Sequence, residues 1–541
     1  MIVKRIIAAL TRTERGLFVA ALTVAIASTA ALGVFAFLRL TVSVPGRGGS
    51  FTEGVVGQPT YVNPILADGP ADKALARLLF ANVPLLADKI APDETGRVWR
   101  IRLKENLRWS DGRKMTSDDL LFTIAAIQDP DTASPLFSSW QGIAGQRLSE
   151  LEVQLTLAGP YPFFRQTLEE LFPVPKHIFA DTPGKNWRLS DYNLTPIGSG
   201  PYAFASYERR SDGFIETYTL GRNSYHAGDD PFIDTMVFRF FTKEDDLLRA
   251  FNGGRIDGFG KLDPTVLTKL PRTYDVAPFS LSGYYAVFLN QGEHPALKDG
   301  VVRRALSAAI KRDELVTRIL GGYGRPVLGP TEALPADPAV ATNESSDMIL
   351  ESAGWTVGQD GIREKRITDQ TVRLAFELVV PNVPFLVQTA NELARMWRAF
   401  GIAVTVKALG TDDITTTLKN RQYQAILFGN FLDPAEDLYP FWHSDERFSP
   451  GLNLSLWNSA RGDDLMEQVR REMNDEKRRA LLADLESVIR KDLPALFLFA
   501  PDYLYITSRG VQGIQGARVA DPSGRFTHIA RWYLHTTRAL K

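Results

Sequence analysis

The sequence predicts an α/β protein that follows a single transmembrane helix. Three observations support this: one long apolar segment without charges near the N-terminus, helix and strand patterns that mix through the rest of the chain, and a strand–helix–strand unit within residues 372–406. Such a unit is most simply a right-handed crossover in a parallel sheet, and mixed elements throughout indicate sheets covered by helices. With 541 residues, of which 44% are apolar and 23% charged, the chain is long enough for three or four folded units.

The first element is the apolar segment over residues 16–38, "GLFVAALTVAIASTAALGVFAFL". It has about the twenty residues that a helix needs to cross a bilayer. Because the charges before it are mostly basic, the positive-inside rule predicts a single-pass protein of the cytoplasmic membrane, with the N-terminus inside and an ectodomain that is periplasmic or extracellular. A cleaved signal peptide is the rival interpretation. Residues 43–50, "SVPGRGGS", are expected to form a short flexible tether.

Two helical regions after the tether have clear boundary signals. In "MTSDDLLFTIAAIQDPD", Thr116 and Asp119 form a capping-box pattern, and Pro130 ends the helix. Apolar stripes predict two further helices between residues 302 and 320, closed by a pair of glycines.

The turn "TPIGSGPYAFASY" separates these helical regions. Gly198 and Gly200 permit positive φ, Pro196 and Pro201 fix φ, and the aromatic residues that follow suit a strand. We therefore predict a rigid turn that leads into a strand. Ser199 does not lie in a Gly-x-Ser-x-Gly motif, so it is not predicted to be a nucleophile.

The strand–helix–strand unit provides the first candidate site. Alternating apolar residues at 372–378 and 402–406 flank a helical pattern over 385–400. A further strand over 425–429 leads into the loop "NFLDPAEDLYPFWHS". Because ligands of α/β sheets bind at loops that follow the carboxyl ends of strands, we expect a binding site at this loop.

The composition indicates neither nucleic-acid binding nor a metal centre. Sixty-two basic residues against 63 acidic ones give a net charge of -1, so the basic field that attracts polyanions is missing. The chain has no cysteine, which excludes disulfides, thiolate metal sites, a cysteine nucleophile and lipidation through an N-terminal cysteine. Its six histidines are dispersed, without a His-Glu-x-x-His motif, and we expect no metal and no cofactor.

Acidic residues in the candidate loop leave catalysis open as an alternative. Asp433, Glu436 and Asp437 are interleaved with aromatic residues, a combination that would suit the acid and base of a glycosidase. Nothing in the sequence fixes the separation of their carboxyl groups.

Four stretches, taken together and in order, resemble the extracytoplasmic solute-binding proteins of ABC transporters in the peptide, dipeptide and nickel family, family 5. The resemblance covers nearly all of residues 51–541. The stretches are "LKENLRWSDGRKMTSDDLLFTIAAIQDP" (103–130), "TPIGSGPYAFASY" (195–207), "VRRALSAAIKRDELVTRILGGYGRPVLGP" (302–330), and "DPAEDLYPFWHS" with "NLSLWNSARGDDLM" (433–444 and 453–466).

The resemblance implies a bilobal periplasmic-binding-protein-like fold of class II, in which two lobes joined by crossover segments close over a ligand by hinge motion. The Gly-Ser-Gly-Pro-Tyr turn would return the chain from an inserted subdomain to the first lobe. The implied boundaries are 1–50 for the cytoplasmic stub, anchor and tether; 51–87, 195–278 and 500–541 for the first lobe; 88–194 for the inserted subdomain; and 279–499 for the second lobe.

The resemblance also implies a ligand site between the lobes, without catalytic residues and without a metal. The implied ligand-binding residues are Tyr61, Asn63, Trp140, Tyr284, Tyr285, Asn430, Phe431 and Asp433.

One position departs from the family pattern. In dipeptide- and oligopeptide-binding relatives, an aspartate shortly before the loop's proline holds the ligand's ammonium group, and alignment on Asp433 places Asn430 there instead. A neutral amide loses the charge-assisted hydrogen bond, which is about twice as strong as a neutral one. Either a neighbouring carboxylate substitutes, or the ligand is a longer or blocked peptide, or it is another kind of molecule.

The function implied is that of a membrane-anchored, monomeric receptor that captures peptides and delivers them to the permease subunits of an ABC importer, with no enzymatic activity. A ligand-sensing ectodomain is an alternative of another class, although residues 1–15 are too few for a cytoplasmic signalling domain. A surface glycosidase is the third hypothesis. Sugars and metal chelates also stay open as cargo.

Overall fold

The computed structural model describes residues 11–270, 273–331, 345–367, 369–432 and 437–540. Its strands are β1 (Thr41–Gly46), β2 (Ser50–Val56), β3 (Ala87–Pro92), β4 (Val98–Leu103), β5 (Ala144–Arg147), β6 (Glu152–Thr156), β7 (Tyr202–Arg209), β8 (Ile215–Arg222), β9 (Thr235–Phe241), β10 (Gly258–Lys261), β11 (Tyr274–Leu281), β12 (Gly283–Leu289), β13 (Gly324–Pro326), β14 (Thr356–Val357), β15 (Arg363–Ile367), β16 (Gln370–Arg373), β17 (Ala375–Pro381), β18 (Ala403–Leu409), β19 (Ala425–Phe431), β20 (Ala495–Ser508), β21 (Arg518–Val519) and β22 (His535–Leu540).

The α-helices are α1 (Arg12–Leu40), α2 (Pro70–Leu79), α3 (Val83–Leu86), α4 (Ser117–Gln128), α5 (Phe137–Trp140), α6 (Phe164–Glu169), α7 (Lys176–Phe179), α8 (Glu244–Asn252), α9 (Pro295–Lys298), α10 (Gly300–Ala308), α11 (Arg312–Ile319), α12 (Ser346–Ser352), α13 (Pro384–Arg398), α14 (Thr411–Asn420), α15 (Tyr439–Trp442), α16 (Ala460–Val469) and α17 (Asp475–Asp492). Short 3-10 helices lie at Pro130–Thr132, Gly184–Leu189, Asp191–Asn193, Pro264–Lys269, Ser444–Glu446, Pro522–Phe526 and Ile529–Arg531.

One mixed sheet runs through both halves of the molecule. Its main path is β18-β17-β19-β12-β20-β10-β2-β9-β8-β7, with β11 and β13 paired to β20, and β21 paired to β11. The first part of the 14-residue strand β20 pairs with β12, and its second part pairs with β10 and β11. The chain also passes between the halves where β11 meets β12, separated only by Ser282. Few segments therefore join the halves.

Each half has its own hydrophobic interior. A large core gathers residues from 51–240, 279–281 and 503–532, and we call this half the first lobe. The other half, built mainly from residues 283–501 and called the second lobe, has one core on each face of its sheet. Because side chains alternate along a strand, Tyr284 and Tyr285 of β12 enter opposite cores.

The predicted crossover is confirmed. Strands β17 and β18 are parallel, with Leu378 opposite Val406, and α13 connects them. Strand β19 is parallel to β17 on its other side. The predicted first strand is divided at Leu374, which is fully buried. The part before it, β16, pairs in a small antiparallel sheet with β14 and β15, and the part after it is β17.

The predicted helix boundaries are also confirmed. The Thr116 N–H donates to Asp119 Oδ2 (2.8 Å), and the Thr116 hydroxyl accepts from the N–H of Asp118 (3.3 Å), which forms the capping box of α4. Helices α10 and α11 lie where the two apolar stripes predicted them. Helix α4 packs beside an antiparallel sheet of order β3-β4-β6-β5.

The Gly-Ser-Gly turn packs against the C-terminal end of α2. The N–H of Gly200 donates to the carbonyl of Leu79 (2.8 Å), and the Ser199 hydroxyl accepts from the N–H of Ala81 (3.1 Å). A Cβ placed on Gly198 would lie 2.8 Å from the carbonyl carbon of Leu79 and closer still to its oxygen. Neither glycine has a positive φ. The expectation that they supply positive φ is therefore wrong: glycine is required because the backbone of α2 leaves no room for a side chain.

Helix α1 continues into the rest of the fold without a loose segment. By length and composition it could cross a membrane, a test that a signal sequence also passes. Strand β1 begins directly after it and pairs antiparallel with β22 over residues 41–46. Arg47 then forms an ion pair with Asp230 (2.8 Å), and Gly48 and Gly49 make a turn with positive φ into β2. The predicted flexible tether is thus wrong for residues 43–46, because backbone hydrogen bonds to β22 hold them.

Candidate functional site

A cleft with a volume of about 1190 Å³ lies between the two lobes. The first lobe contributes one face of α2, residues around α5 and part of 157–172, while the second contributes the region after β19 together with α15 and the end of α16. The volume exceeds the range of about 300–1,000 Å³ that is usual for sites of small ligands. The cleft therefore has room for an extended ligand.

A hydrogen-bonded network joins the lobes at the edge of this cleft. The Tyr161 hydroxyl of the first lobe donates to Oδ2 of Asp437 (3.1 Å), and Nε of Arg470 donates to the same oxygen (2.9 Å). The Arg470 guanidinium also lies over the ring of Tyr439, 4.2 Å from its centroid. We call these four residues the interlobe bridge. Because Asp437 is only 5% exposed, its carboxylate depends on these donors for the hydrogen bonds that replace water.

Apolar contacts next to the bridge hold the lobes together. Phe163 of the first lobe and Val469 of the second form a small buried cluster, and the Arg478 guanidinium lies 5.4 Å from the centroid of the Phe163 ring. A Cβ on Gly96 would come within 2.8 Å of Cγ of Met473. The lobes are therefore in direct contact around the cleft.

A second ionic group lies on the first-lobe wall. Nη2 of Arg77 donates to Glu170 (2.8 Å), and Nε of Arg77 donates to the Ser523 hydroxyl (2.9 Å). Asp521 lies 3.8 Å from the same guanidinium. Burial raises the pKa of Glu170, and the charge of Arg77 opposes that rise. This group ties α2 to the segment that follows β21.

Two of the predicted residues line the cleft. Trp140 is 2% exposed and packs edge-on against Phe164, with ring centroids 5.8 Å apart, so only its margin reaches the cavity. Phe431, at the end of β19, is 39% exposed and faces the cavity from the second lobe. The structure therefore brings Trp140 and Phe431 to one cleft from opposite lobes.

The predicted tyrosines of β12 and the predicted amide of β19 lie in the interior. The Tyr284 hydroxyl accepts from Nδ2 of Asn430 (3.2 Å) and from Nε1 of Trp442 (3.1 Å). Tyr285, on the other face of the sheet, packs against Phe431 with ring centroids 5.8 Å apart. Burial raises the pKa of both tyrosines. Asn430 instead lines an apolar side pocket of about 340 Å³, which shares three lining residues with the cleft.

The two residues predicted from the first lobe lie beside the cleft wall. Asn63 is 2% exposed; its Oδ1 accepts from the N–H of Ile65 (3.2 Å), and its Nδ2 donates to Asn193 (3.4 Å). Tyr61 stacks under the Arg188 guanidinium, 4.9 Å from its ring centroid. The neighbouring loop residues, rather than these two, line the cavity.

The acidic loop gives no support for a glycosidase. Asp433 and Glu436 lie outside the described residues, and Asp437 is held by Tyr161 and Arg470. No group of three or more His, Asp or Glu side chains in the described part of the chain could hold a metal ion.

Most of the polar residues that line the cleft were not predicted from the sequence. The sequence gives no sign that Tyr161 and Arg470 are in contact, because they come from different lobes and meet only in the folded protein. A partial signal existed for α2, since Lys73, Ala76 and Arg77 share one face at helical spacing.

Comparison with solved structures shows the bilobal fold. The oligopeptide-binding protein AppA from Bacillus subtilis, in complex with a nonapeptide, superposes with a TM-score of 0.69 at 21% identity, covering 91% of this chain and all of that one. The ABC transporter substrate-binding protein CtaP from Listeria monocytogenes gives a TM-score of 0.75 at 22% identity, covering 90% and 99%. NikZ from Campylobacter jejuni, in complex with Ni(L-His), gives 0.70 at 23% identity, covering 90% and 99%.

Comparison of sequences assigns the family. The chain is 23% identical to AppA of Bacillus subtilis over 523 residues, which cover 91% of this chain and 92% of AppA. These relatives are solute-binding proteins and not enzymes. Residues 82–449 match the model described as "Bacterial extracellular solute-binding proteins, family 5 Middle". The chain therefore belongs to the bacterial extracellular solute-binding proteins of family 5.

Proposed function

We propose that this protein is a membrane-anchored receptor of an ABC importer, which captures peptides in the interlobe cleft and delivers them to the permease. The observation that carries the proposal is the cleft of about 1190 Å³ between two lobes that few strand segments connect. AppA, which has the same fold, was solved with a nonapeptide, and CtaP is named as an ABC transporter substrate-binding protein.

The cleft suits an extended peptide for two physical reasons. A peptide presents unpaired backbone N–H and C=O groups along its length, and polar groups and water within a roomy cleft can bind them without selecting one sequence. Aromatic surfaces from both lobes, Trp140 and Phe431, offer contacts for side chains. Tyr61, Asn63, Tyr284, Tyr285, Asn430 and Asp433 stay in the proposal as ligand-binding residues implied by the resemblance; the first five do not line the cleft, and Asp433 lies outside the described residues.

Closure would occur by bending where the lobes join. Bending at Ser282, between β11 and β12, and within β20 would move one lobe against the other. Within the half called the first lobe, we assign 51–87, 195–278 and 500–541 to the lobe proper and 88–194 to a subdomain inserted into it; the second lobe is assigned to 279–499. The interlobe bridge forms only when the lobes meet, so its hydrogen bonds favour the closed form.

Retention of α1 as an anchor is the second part of the proposal. Residues 41–46 pair with β22, so the segment that directly follows α1 belongs to the folded ectodomain. This arrangement would hold a monomeric receptor close to its permease, with the N-terminus in the cytoplasm.

A thermal-shift titration of the full chain in detergent tests the peptide cargo. A ligand at about a hundred times its Kd adds about 2.7 kcal/mol to the free energy of unfolding, and this raises Tm measurably. We expect pools of short peptides to raise Tm and oligosaccharide pools to leave it unchanged. A folded sample that responds to no peptide pool would refute the proposal and favour another cargo or a sensor.

Protease protection and intact-mass measurement test the anchor. In spheroplasts, added proteinase should digest the ectodomain and spare a tag at the N-terminus, and the untagged protein, purified separately, should have the full mass of 60.1 kDa. A mass that lacks α1 would establish a cleaved signal peptide instead. An ectodomain protected from protease would invert the topology.

A further inference from the structure

The two-stranded sheet of β1 and β22, here called the ribbon, lies outside the hydrophobic cores of the protein. Within the described part of the chain, each strand pairs only with the other, and neither contributes a side chain to a buried core cluster. The ribbon also has exposed apolar side chains, since Val42 is 41% exposed and Leu540 is 79% exposed. A lone two-stranded sheet is at best marginally stable in water, so a surface that covers these side chains would stabilise the ribbon.

The length of α1 determines where the ribbon would lie relative to a bilayer. The helix has 29 residues, and at 1.5 Å per residue it is about 44 Å long. A bilayer is about 40–45 Å thick with its headgroup regions, of which about 30 Å is hydrocarbon. With α1 retained as the proposed anchor, the apolar segment that ends at Leu38 fills the hydrocarbon. Arg39 and the ribbon that follows it then lie at the level of the outer headgroups.

Two arginines from distant parts of the sequence meet at that level. Arg39 lies in the last turn of α1, with its guanidinium 5.1 Å from the centroid of the Phe35 ring. Arg538 of β22 donates from Nη1 to the Thr41 hydroxyl (3.2 Å), and its guanidinium lies 5.9 Å from the centroid of the Phe37 ring. Both arginine side chains are exposed, so their other N–H groups can reach a ligand.

No carboxylate balances these two cations in the described part of the chain. Neither Arg39 nor Arg538 has an ion-pair partner there, and neither strand of the ribbon contains Asp or Glu. At the far end of the ribbon, by contrast, Arg47 is paired with Asp230 (2.8 Å). Because a guanidinium can make two parallel charge-assisted hydrogen bonds to phosphate, unbalanced arginines suit phosphate ligands. Unbalanced positive charge therefore lies where a bilayer has its phosphate groups.

We propose that Arg39 and Arg538 bind the phosphate groups of anionic phospholipids in the outer leaflet, so that the ribbon lies on the membrane surface. This inference rests on the proposed anchor. Leu540 lies opposite Thr41, at the end of the ribbon next to α1, and it shares a face with Arg538 because alternate residues of a strand point the same way. An apolar side chain nearest the membrane, with a cation beside it, matches the boundary between hydrocarbon and headgroups.

Amide hydrogen exchange of the full chain in lipid nanodiscs tests this inference. One set of nanodiscs contains phosphatidylcholine alone, and the other contains added phosphatidylglycerol, whose phosphate has no ammonium group beside it. A basic residue next to an anionic surface strengthens binding about fivefold. Each arginine should therefore slow exchange of the amides within residues 41–46 and 535–540 about fivefold in the anionic nanodiscs relative to the neutral ones.

Substitutions are compared by the ratio of exchange rates in the two lipids. Arg39→Gln and Arg538→Gln should each lower this ratio about fivefold, and the double variant should exchange equally in both lipids. Arg538→Lys keeps the charge and should keep most of the ratio. Loss of the hydrogen bond from Arg538 to Thr41 would speed exchange in both lipids alike, so a merely structural role would leave the ratio unchanged.

Arg398→Gln is the matched control. Arg398 is also an exposed arginine in the last turn of a helix, α13, without an ion-pair partner among the described residues, but it lies in the second lobe. This variant should keep the wild-type ratio. Amides of β17 and β18 should exchange equally in all samples, which verifies that each variant is folded.

The outcomes distinguish this inference from the proposed anchor. Equal exchange of the ribbon in both lipids, or a wild-type ratio in Arg39→Gln and Arg538→Gln, would overturn the inference and leave the anchor in place. A chain that does not stay in the nanodiscs, or whose mass lacks α1, would refute the anchor and this inference with it. Slow exchange only in nanodiscs that hold two copies of the chain would assign the ribbon to a second copy and overturn the lipid contact.

Discussion

Substitution of Gly198 by alanine tests the packing of the Gly-Ser-Gly turn on α2. The new Cβ would lie 2.8 Å from the carbonyl carbon of Leu79, against an ordinary carbon–carbon contact of about 3.5–4.0 Å, so the backbone must shift by about 1 Å. Overpacking of this kind costs about 1–3 kcal/mol. The shift would also break the hydrogen bonds from Gly200 to Leu79 (2.8 Å) and from Ser110 to Gly198 (2.8 Å), each worth about 1 kcal/mol. We expect a total loss of about 3–5 kcal/mol.

Thermal and urea unfolding measure this loss. For a chain of 541 residues the entropy of unfolding is about 1.1 kcal/mol/K, so a loss of this size should lower Tm by about 3–4 °C. Gly221→Ala is the matched control, because a Cβ on Gly221 in β8 meets no atom within 4 Å, and this variant should match the wild type. A Tm for Gly198→Ala equal to that of Gly221→Ala would show that the turn does not pack on α2 as described.

Three other perturbations test the bridge, a buried ion pair and a histidine. Tyr161→Phe removes a donor to Asp437 across the cleft, so calorimetry should give a peptide Kd about fivefold larger; an unchanged Kd would mean that the bridge does not favour closure. Glu53 Oε1 lies 2.7 Å from Nη2 of the buried Arg525, so Glu53→Gln leaves that guanidinium without its counter-charge. Urea unfolding should show a free energy of unfolding lower by about 3–5 kcal/mol, and a decrease below about 1 kcal/mol would contradict this. Burial lowers the pKa of His226, so near pH 6.5 the unfolded chain takes up a proton that the folded protein does not. The free energy of unfolding should therefore fall as the pH drops below 6.5, and it should fall less steeply in His226→Gln. Equal pH dependence of the free energy of unfolding in the two proteins would rule out this contribution.

The local elements were predictable because their signals are local. Helix α13 and the strands on either side follow apolar periods of 3.6 and 2, and the cap of α4 needs only Thr116 and Asp119. The reason for Gly198 could not be predicted in the same way. It depends on the approach of α2, which precedes the turn by more than a hundred residues.

The cleft was harder to predict, because whether a side chain lines it depends on which other segments of the folded chain cover that side chain. Tyr284 was expected there and lies in a core, since β12 is buried on both faces. The uninterrupted apolar run of that strand, "GYYAVFL", is typical of a central strand and could have indicated this. Phe431, which comes at the end of β19, does reach the cavity. The contact of Tyr161 with Asp437 arises only when both lobes have folded.

The pairing of β1 with β22 constrains the order in which parts of the chain fold. Helix α1 leaves the ribosome first, whereas its neighbouring strand finds its partner, Leu540 opposite Thr41, only after nearly the whole chain has been made. Contacts so distant in sequence carry a high loop-closure cost and form late. With α1 retained as the proposed anchor, the rest of the chain would fold while joined to the membrane by an unpaired segment, and pairing of β1 with β22 would be the last step. Under that proposal, only this pairing would fix the distance between the membrane and the cleft.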